Sequence, residues 1–233
     1  MIRPEGVPVW KRLLDIILTL ATAPVWVPLG LLIAALIKVV SPGPIFFRQE
    51  RVGYLGRRFS CLKFRTMGVN ADTTVHQGHL EQLMSSGRPI TKLDKAGDSR
   101  LIRCGLLLRT LGLDELPQLL NILKGDMSLV GPRPCLPYEY EKYLPRHRER
   151  CATLPGLTGL WQTSGKNRTT FEEMIDLDVH YASHKSLLMV FKIIVMTIPA
   201  LLSQAGEVST SRKLILRSAA TRPLNARPAV NRQ

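Results

Sequence analysis

Acidic residues, aromatics and cysteines are all scarce in this chain, and each shortage closes off a class of protein. Eighteen Asp and Glu stand against 32 Lys and Arg, a formal net charge of +14, so an anionic partner is attracted over long range. The sign alone fits nucleic acid, anionic lipid or a phosphorylated substrate. Phe, Trp and Tyr make up only 6% of the residues and no nucleic-acid-binding motif is present, which argues against nucleic acid. Mean hydropathy is nonetheless slightly positive, which is unusual beside so much charge and favours a membrane. Cys61, Cys104, Cys135 and Cys151 lack CxxC or Cys/His ligand spacing, so neither a zinc site nor a disulfide framework is signalled. They read as reduced and buried. No internal repeat is visible, and the N-terminal apolar run is followed by no small-residue cleavage site, so it reads as a retained membrane element. At 233 residues the chain suits one ordinary domain, or a smaller one with membrane-associated segments.

From Ile16 to Ile37 no side chain is charged, a stretch matching the ~20 apolar residues that span a bilayer core. Pro24 removes a backbone donor inside it, and Pro28 and Gly30 weaken the same region, so a bend is expected there. Lys11 and Arg12 precede the run, and Lys38, Arg48 and Arg51 follow it, so charge bias exports neither end. A re-entrant hairpin and a Pro-kinked spanning helix both fit. Next, Ser41, Pro42, Gly43 and Pro44 stop the helix, and alternation suggests short strands. The basic residues of this stretch, Arg48, Arg51, Arg57, Arg58, Lys63 and Arg65, could meet lipid headgroups or substrate phosphates, or form a solvated face. His76 and His79 are spaced like helical metal ligands but lack a third, and surface exposure is the simpler reading.

The most informative stretch is LGLDELPQLLNILKGDMSLVGPRP. Leu116, Leu119, Leu120 and Leu123 fall on one helical face, Pro117 suits a first turn, and Lys124 and Gly125 suit the end. Asp114 and Glu115 then stand at the helix start, where backbone amides favour anions. Taken alone, such carboxylates are ordinary caps. Arg109 upstream and the Gly131–Pro134 turn downstream change that, because guanidinium groups converging on a phosphate are what phosphoryl transfer requires. Asp114 could then be a nucleophile and metal neighbour, with Glu115 about 100° around the helix assisting. Towards the C-terminus, Ser186 to Leu202 is too short to span and suits the membrane interface or a core helix. From Ser209 onward the composition is that of a basic disordered tail.

The ordered motifs KRLLD, SPGPIFFRQERVG, KFRTM, LDELPQLLNILKGDMSLVGPRP, LPGLTGLWQTSGKN and LDVHYA resemble those of the bacterial monotopic polyprenyl-phosphate phosphoglycosyl transferases. The likeness covers roughly Lys11 to Leu202. It implies ping-pong transfer of a sugar 1-phosphate from a UDP-sugar to an undecaprenyl-type phosphate, with release of UMP, at the start of exopolysaccharide, capsule, O-antigen or glycan assembly. By motif position Asp114 would be the nucleophile carrying Mg²⁺, and Glu115 its acidic partner. Arg109, Pro132 and Arg133 would contact phosphate or nucleotide, with Lys63 and Arg65 as further basic site residues. Arg12 and Asp15 would hold a re-entrant element broken at Pro24. Trp161 and Gln162 could line the sugar or lipid side, or simply fill the core. Where relatives often place Ser before the breaking proline, this chain has Ala23, so a hydroxyl for the freed carbonyls is expected to be missing.

The expected fold is α+β and mainly helical, with a re-entrant N-terminal membrane helix, interfacial amphipathic helices and a small sheet. Residues 1–40 would form the membrane element, 41–208 a catalytic domain on the cytoplasmic face of the bacterial inner membrane, and 209–233 the tail. The resemblance implies a UDP-sugar, a polyprenyl phosphate and anionic membrane lipids as partners, excludes nucleic acid, and leaves a homodimer open. A non-catalytic basic membrane anchor is the rival reading. It accounts for charge and apolar run, but not for an acidic dyad between arginines.

Overall fold

The computed structural model describes residues 6–69, 78, 82–84, 86–90, 100–165 and 169–201. His76, His79 and the basic tail lie outside them. The apolar run forms two helices, α1 (Val9–Ala21) and α2 (Ala23–Val40), which meet at Thr22 immediately before Pro24. The bend expected at the proline therefore falls at the junction, while Pro28 is accommodated inside α2. The expected lack of a hydroxyl is corrected by Thr22, whose Oγ1 donates to the Leu18 carbonyl at 2.7 Å. The Trp26 indole N–H adds a bond to the Thr19 carbonyl at 3.0 Å.

The two helices bury opposite chemistries. On α1 the covered residues are Lys11, Arg12, Asp15 and Thr19, whereas α2 covers only Ile33 and Ile37 among its buried residues. Val25, Leu31, Leu32 and Val39 of α2 are 67–85% exposed. Its 18 residues rise about 27 Å at 1.5 Å each, long and apolar enough by length and composition to cross a membrane.

Strands β1 (Phe46–Val52) and β2 (Arg58–Phe64) form an antiparallel hairpin in which Phe46 pairs with Phe64 and Val52 with Arg58. Helix α3 (Gly105–Thr110) and helix α4 (Gln118–Lys124) follow. Gly125 ends α4 with φ +101°, as its position after Lys124 predicted. The buried set of α4 differs from the leucine stripe. Gln118, Leu119, Asn121 and Ile122 are covered, while Leu120 is 44% exposed. Asn121 explains the rotation, because its Oδ1 accepts from the Leu62 N–H at 3.0 Å and its Nδ2 donates to the Ser60 carbonyl at 2.8 Å. Its amide thus bonds β2 as a neighbouring strand would, and each apolar partner such as Ile122 adds roughly 1.5–3 kcal/mol through burial.

Short strands β3 (Ser128–Val130) and β4 (Gly156–Thr158) pair in parallel. Among the described residues the single small sheet expected is therefore two separate two-stranded ones. Just beyond β3, Gly131 touches the β4 strand so closely that a Cβ on Gly156 would lie 2.0 Å from the Gly131 nitrogen. This contact locks the GPRP turn to the LPGLTG segment. Helix α5 (Phe171–His184) begins with a capping box in which Thr170 and Glu173 satisfy each other's backbone N–H. Helix α6 (Leu187–Leu201) buries Val190 and Ile193 completely. Its Leu188, Val195 and Ile198 are 63–80% exposed, so one edge is core and the other an apolar face. The architecture is thus mainly helical α+β, with all four cysteines buried and free.

Candidate active site

Gly112, with φ +68°, turns the chain from α3 into a 3-10 turn over Leu113–Glu115 that carries both carboxylates. The dyad therefore precedes α4 instead of forming its first turn, and Pro117 stands at the α4 cap. A 3-10 turn rotates about 120° per residue, so the two carboxylates still diverge. Asp114 is 8% exposed, while the Glu115 side chain is 36% exposed. From β2, the Lys63 Nζ donates to Glu115 Oε1 at 2.8 Å.

Burial pushes the Asp114 carboxyl up from 3.8 to about 6, and Glu115 adds to the rise, against the pull of Lys63 and Arg109. Asp114 is thus ionised at neutral pH at some cost, the condition of a carboxylate awaiting more positive charge. Arg109 is oriented by Thr66, whose Oγ1 accepts from its Nε at 2.8 Å. Thr66, from the KFRTM segment, is a positioning residue that the sequence reading did not single out. Arg65 of the same segment is 5% exposed and directs its guanidinium at the helix-ending turn. It donates to Pro44 O at 2.6 Å, Ser41 Oγ at 3.0 Å and Ser41 O at 2.9 Å.

Pro132 and Arg133 line a small cleft between the end of β1 and the β4 approach, with Gly53, Arg150 and Pro155. Two buried arginines fix this loop by its backbone. Arg51 donates to the Pro134 carbonyl at 3.0 Å, and Arg150 donates to the Arg133 carbonyl at 2.9 Å. Arg51, read from sequence as a headgroup or phosphate contact, is 7% exposed and held by Gln49 as well. Arg150 also bonds the Tyr143 hydroxyl at 2.6 Å and pairs with Asp178 of the LDVHYA segment. The Arg133 guanidinium itself is 36% exposed, 4.0 Å from Glu139. Burial pushes the Cys61 thiol up, against the pull of Lys63 and Arg51. Arg150 was missed because nothing local marks it; its role needs partners 7, 17 and 28 residues away.

Trp161 is 3% exposed and its indole N–H reaches Thr169 Oγ1 at 2.6 Å, the geometry of a core tryptophan. Gln162 donates to the Leu157 carbonyl at 3.1 Å. Far from the dyad in sequence, the KRLLD motif forms its own buried cluster. Lys11 Nζ lies 2.8 Å from Asp15 Oδ1, which also accepts from the Leu129 N–H at 3.0 Å and lies 3.0 Å from Ser128 Oγ. Arg12 donates to the Ile122 and Leu123 carbonyls at the end of α4.

Residues 7–204 match a family model described as bacterial sugar transferase. The exopolysaccharide production protein ExoY of Sinorhizobium fredii is 39% identical over 206 residues, covering 88% of this chain and 91% of that protein. The UDP-glucose:undecaprenyl-phosphate glucose-1-phosphate transferase of Caulobacter vibrioides is 38% identical, over 87% of this chain and 75% of its own. A UDP-galactose-lipid carrier transferase of Erwinia amylovora is 34% identical, over 84% of this chain and 41% of its own.

Proposed function

The chain belongs to the bacterial sugar transferase family, and from that premise we propose that it moves a sugar 1-phosphate from a UDP-sugar to undecaprenyl phosphate through an acyl phosphate that joins Asp114 to the phosphosugar. As a sugar phosphotransferase it would initiate exopolysaccharide assembly, a reading supported by a relative named as an exopolysaccharide production protein and another named as a glucose-1-phosphate transferase to undecaprenyl phosphate. The observation that carries the covalent step is the buried, reluctantly ionised Asp114 beside Lys63 and Arg109. In the first half-reaction an Asp114 oxygen attacks the sugar-bearing phosphorus, the P–O bond to the uridylyl phosphate breaks, and UMP leaves with its electron pair. In the second, the acceptor phosphate attacks the same phosphorus and returns the carboxylate. Splitting one hard transfer into two is the gain of covalent catalysis.

Lys63, tied to Glu115, and Arg109, aimed by Thr66, would steady the phosphate oxygens as charge shifts. Arg133, with its backbone pinned by Arg150, would serve the nucleotide side. Among the described residues no three His, Cys, Asp or Glu side chains gather as a metal cage. Asp114 fits Mg²⁺ instead, an ion that takes one or two carboxylates and completes its shell with substrate phosphate and water. When bound, Mg²⁺ would neutralise the diphosphate of the donor. The exposed apolar faces of α2 and α6 support membrane association, and a UDP-sugar donor would reach the dyad from the cytoplasmic side.

The test is intact mass after incubation with Mg²⁺ and a panel of UDP-sugars, without acceptor, beside Asp114→Asn. A phosphosugar adduct with one donor, absent from the variant, is expected. UMP release at the wild-type rate by Asp114→Asn would remove Asp114 as nucleophile, and no UMP release with any donor and acceptor would leave the membrane-anchor reading.

A further inference from the structure

Beside the dyad lies an apolar groove of about 150 Å³ whose walls come from the membrane-length helix and from the start of α4. Trp26, Gly30 and Ala34 of α2 face Leu116 and Leu120 across it, and Phe64 closes one side. Phe64 is stacked on Phe46, with ring centroids 5.6 Å apart, and the Trp26 ring is fixed by its bond to Thr19. The walls are therefore held in place. Among the described residues no charged one lines the groove, yet its two ends of chain run straight into charge. Phe64 follows Lys63, and Leu116 follows Glu115, the pair bonded at 2.8 Å.

An occupant can thus present hydrocarbon to the groove and an anion to the Lys63 ammonium, next in sequence to the Phe64 wall. We infer that this groove seats the isoprene unit next to the phosphate of the polyprenyl phosphate acceptor, an assignment that rests on the transfer reading above. The size fits, since an apolar cavity of roughly 150 Å³ takes up benzene and an isoprene unit has one carbon fewer. Gly30 leaves the room, because a Cβ there meets only Phe64 Cζ at 3.9 Å. The remaining chain would leave past Leu31, 67% exposed on the outer face of α2, into the bilayer. The groove thereby sets the acceptor phosphate beside Asp114 without a polar contact to the lipid tail.

The experiment is photo-crosslinking of the full chain in phosphatidylethanolamine–phosphatidylglycerol vesicles, with a farnesyl phosphate bearing a diazirine on its first isoprene unit. Label is expected on peptides spanning residues 26–34 or 116–120, displaced by undecaprenyl phosphate but not by farnesol or added phosphatidylglycerol. Gly30→Leu should cut labelling at least about tenfold, from the several methylene contacts it displaces, whereas Gly30→Ala should retain it. Leu120→Trp blocks the opposite wall and replaces Gly30→Leu if that variant does not fold. Label elsewhere, equal displacement by phosphatidylglycerol, or full labelling of a folded blocked variant overturns the assignment. UMP release is measured separately on unlabelled protein, so loss of the transfer reading and loss of the groove are read from different signals.

Discussion

Asp15 and Asp114 stand at opposite ends of α4, with 0% and 8% of their surfaces exposed. The Asp15 cluster closes the far end, where Arg12 takes the Ile122 and Leu123 carbonyls and so caps the negative pole of the helix. Asp15 receives a lysine and a backbone N–H from the protein itself. Asp114 receives less than its burial costs, and its proton affinity rises. The first charge is spent on docking α1; under the proposed function the second is kept for a ligand. Both occur in short charged motifs, and only their partners tell them apart.

The largest effect that would test this contrast is on catalysis. Asp114→Asn should lower donor-dependent UMP release at least about a thousandfold, as loss of a covalent nucleophile does. The same change should stabilise the fold. A carboxyl whose folded value lies near 6, above its unfolded 3.8, binds its proton more tightly when folded. Its stabilising contribution is present below about pH 4 and lost as pH rises through 6. At neutral pH Asn removes a penalty on the order of 1–3 kcal/mol, to be read from thermal unfolding in detergent. An Asp114→Asn protein that melts below wild type would place Asp114 with Asp15 among the structural charges.

Asp15→Ala is the mirror experiment. Lys11, 3% exposed, would be left buried without its carboxylate, and breaking such a pair costs about 3–5 kcal/mol. The melting temperature should therefore fall steeply, while any protein that remains folded still forms the adduct. Loss of adduct in well-folded Asp15→Ala would contradict the division of labour. A smaller effect follows from pH. With a carboxyl near 6, kcat/KM for the UDP-sugar, which reports the free enzyme, should rise about tenfold from pH 5 to 7 and then level. A flat profile over that range would mean another group limits the step.

The dyad, the break near Pro24 and the Gly125 stop were legible because each is local. A proline lacks its N–H wherever it stands, and a glycine after a lysine-ended helix turns left-handed by its own geometry. The grip on the GPRP turn was not legible. Arg51 reaches it across 83 residues and Arg150 across 17, and a basic run seen alone gives no sign of which arginine turns inward. Asn121 misled for a similar reason. It interrupts a leucine stripe as a polar residue, yet it is buried because β2 offers an unpaired N–H and carbonyl at its level. Helix α1 and the turn that carries the dyad meet at α4, which periodicity alone could describe only as one helix with one face.

Thr66 gives the smallest and most discriminating test of the site half of the comparison. Its hydroxyl accepts from Arg109 Nε at 2.8 Å, while its backbone carbonyl holds the Ile102 N–H at 3.0 Å. Thr66→Val keeps the shape and the backbone bond, removing only the acceptor for the guanidinium. One hydrogen bond to a charged group contributes about 1.5–3 kcal/mol at most, and Arg109 would retain its charge and much of its place. A three- to tenfold loss in kcat/KM for the UDP-sugar is therefore expected, with Thr66→Ser restoring most of it. Melting should shift by less than about 1 kcal/mol. If Thr66→Val instead destabilises the fold and Ser fails to rescue activity, then Arg109 is held for packing, as Arg65 is held by Ser41 and Pro44. The cationic side of the site would then rest on Lys63 and Arg133 alone.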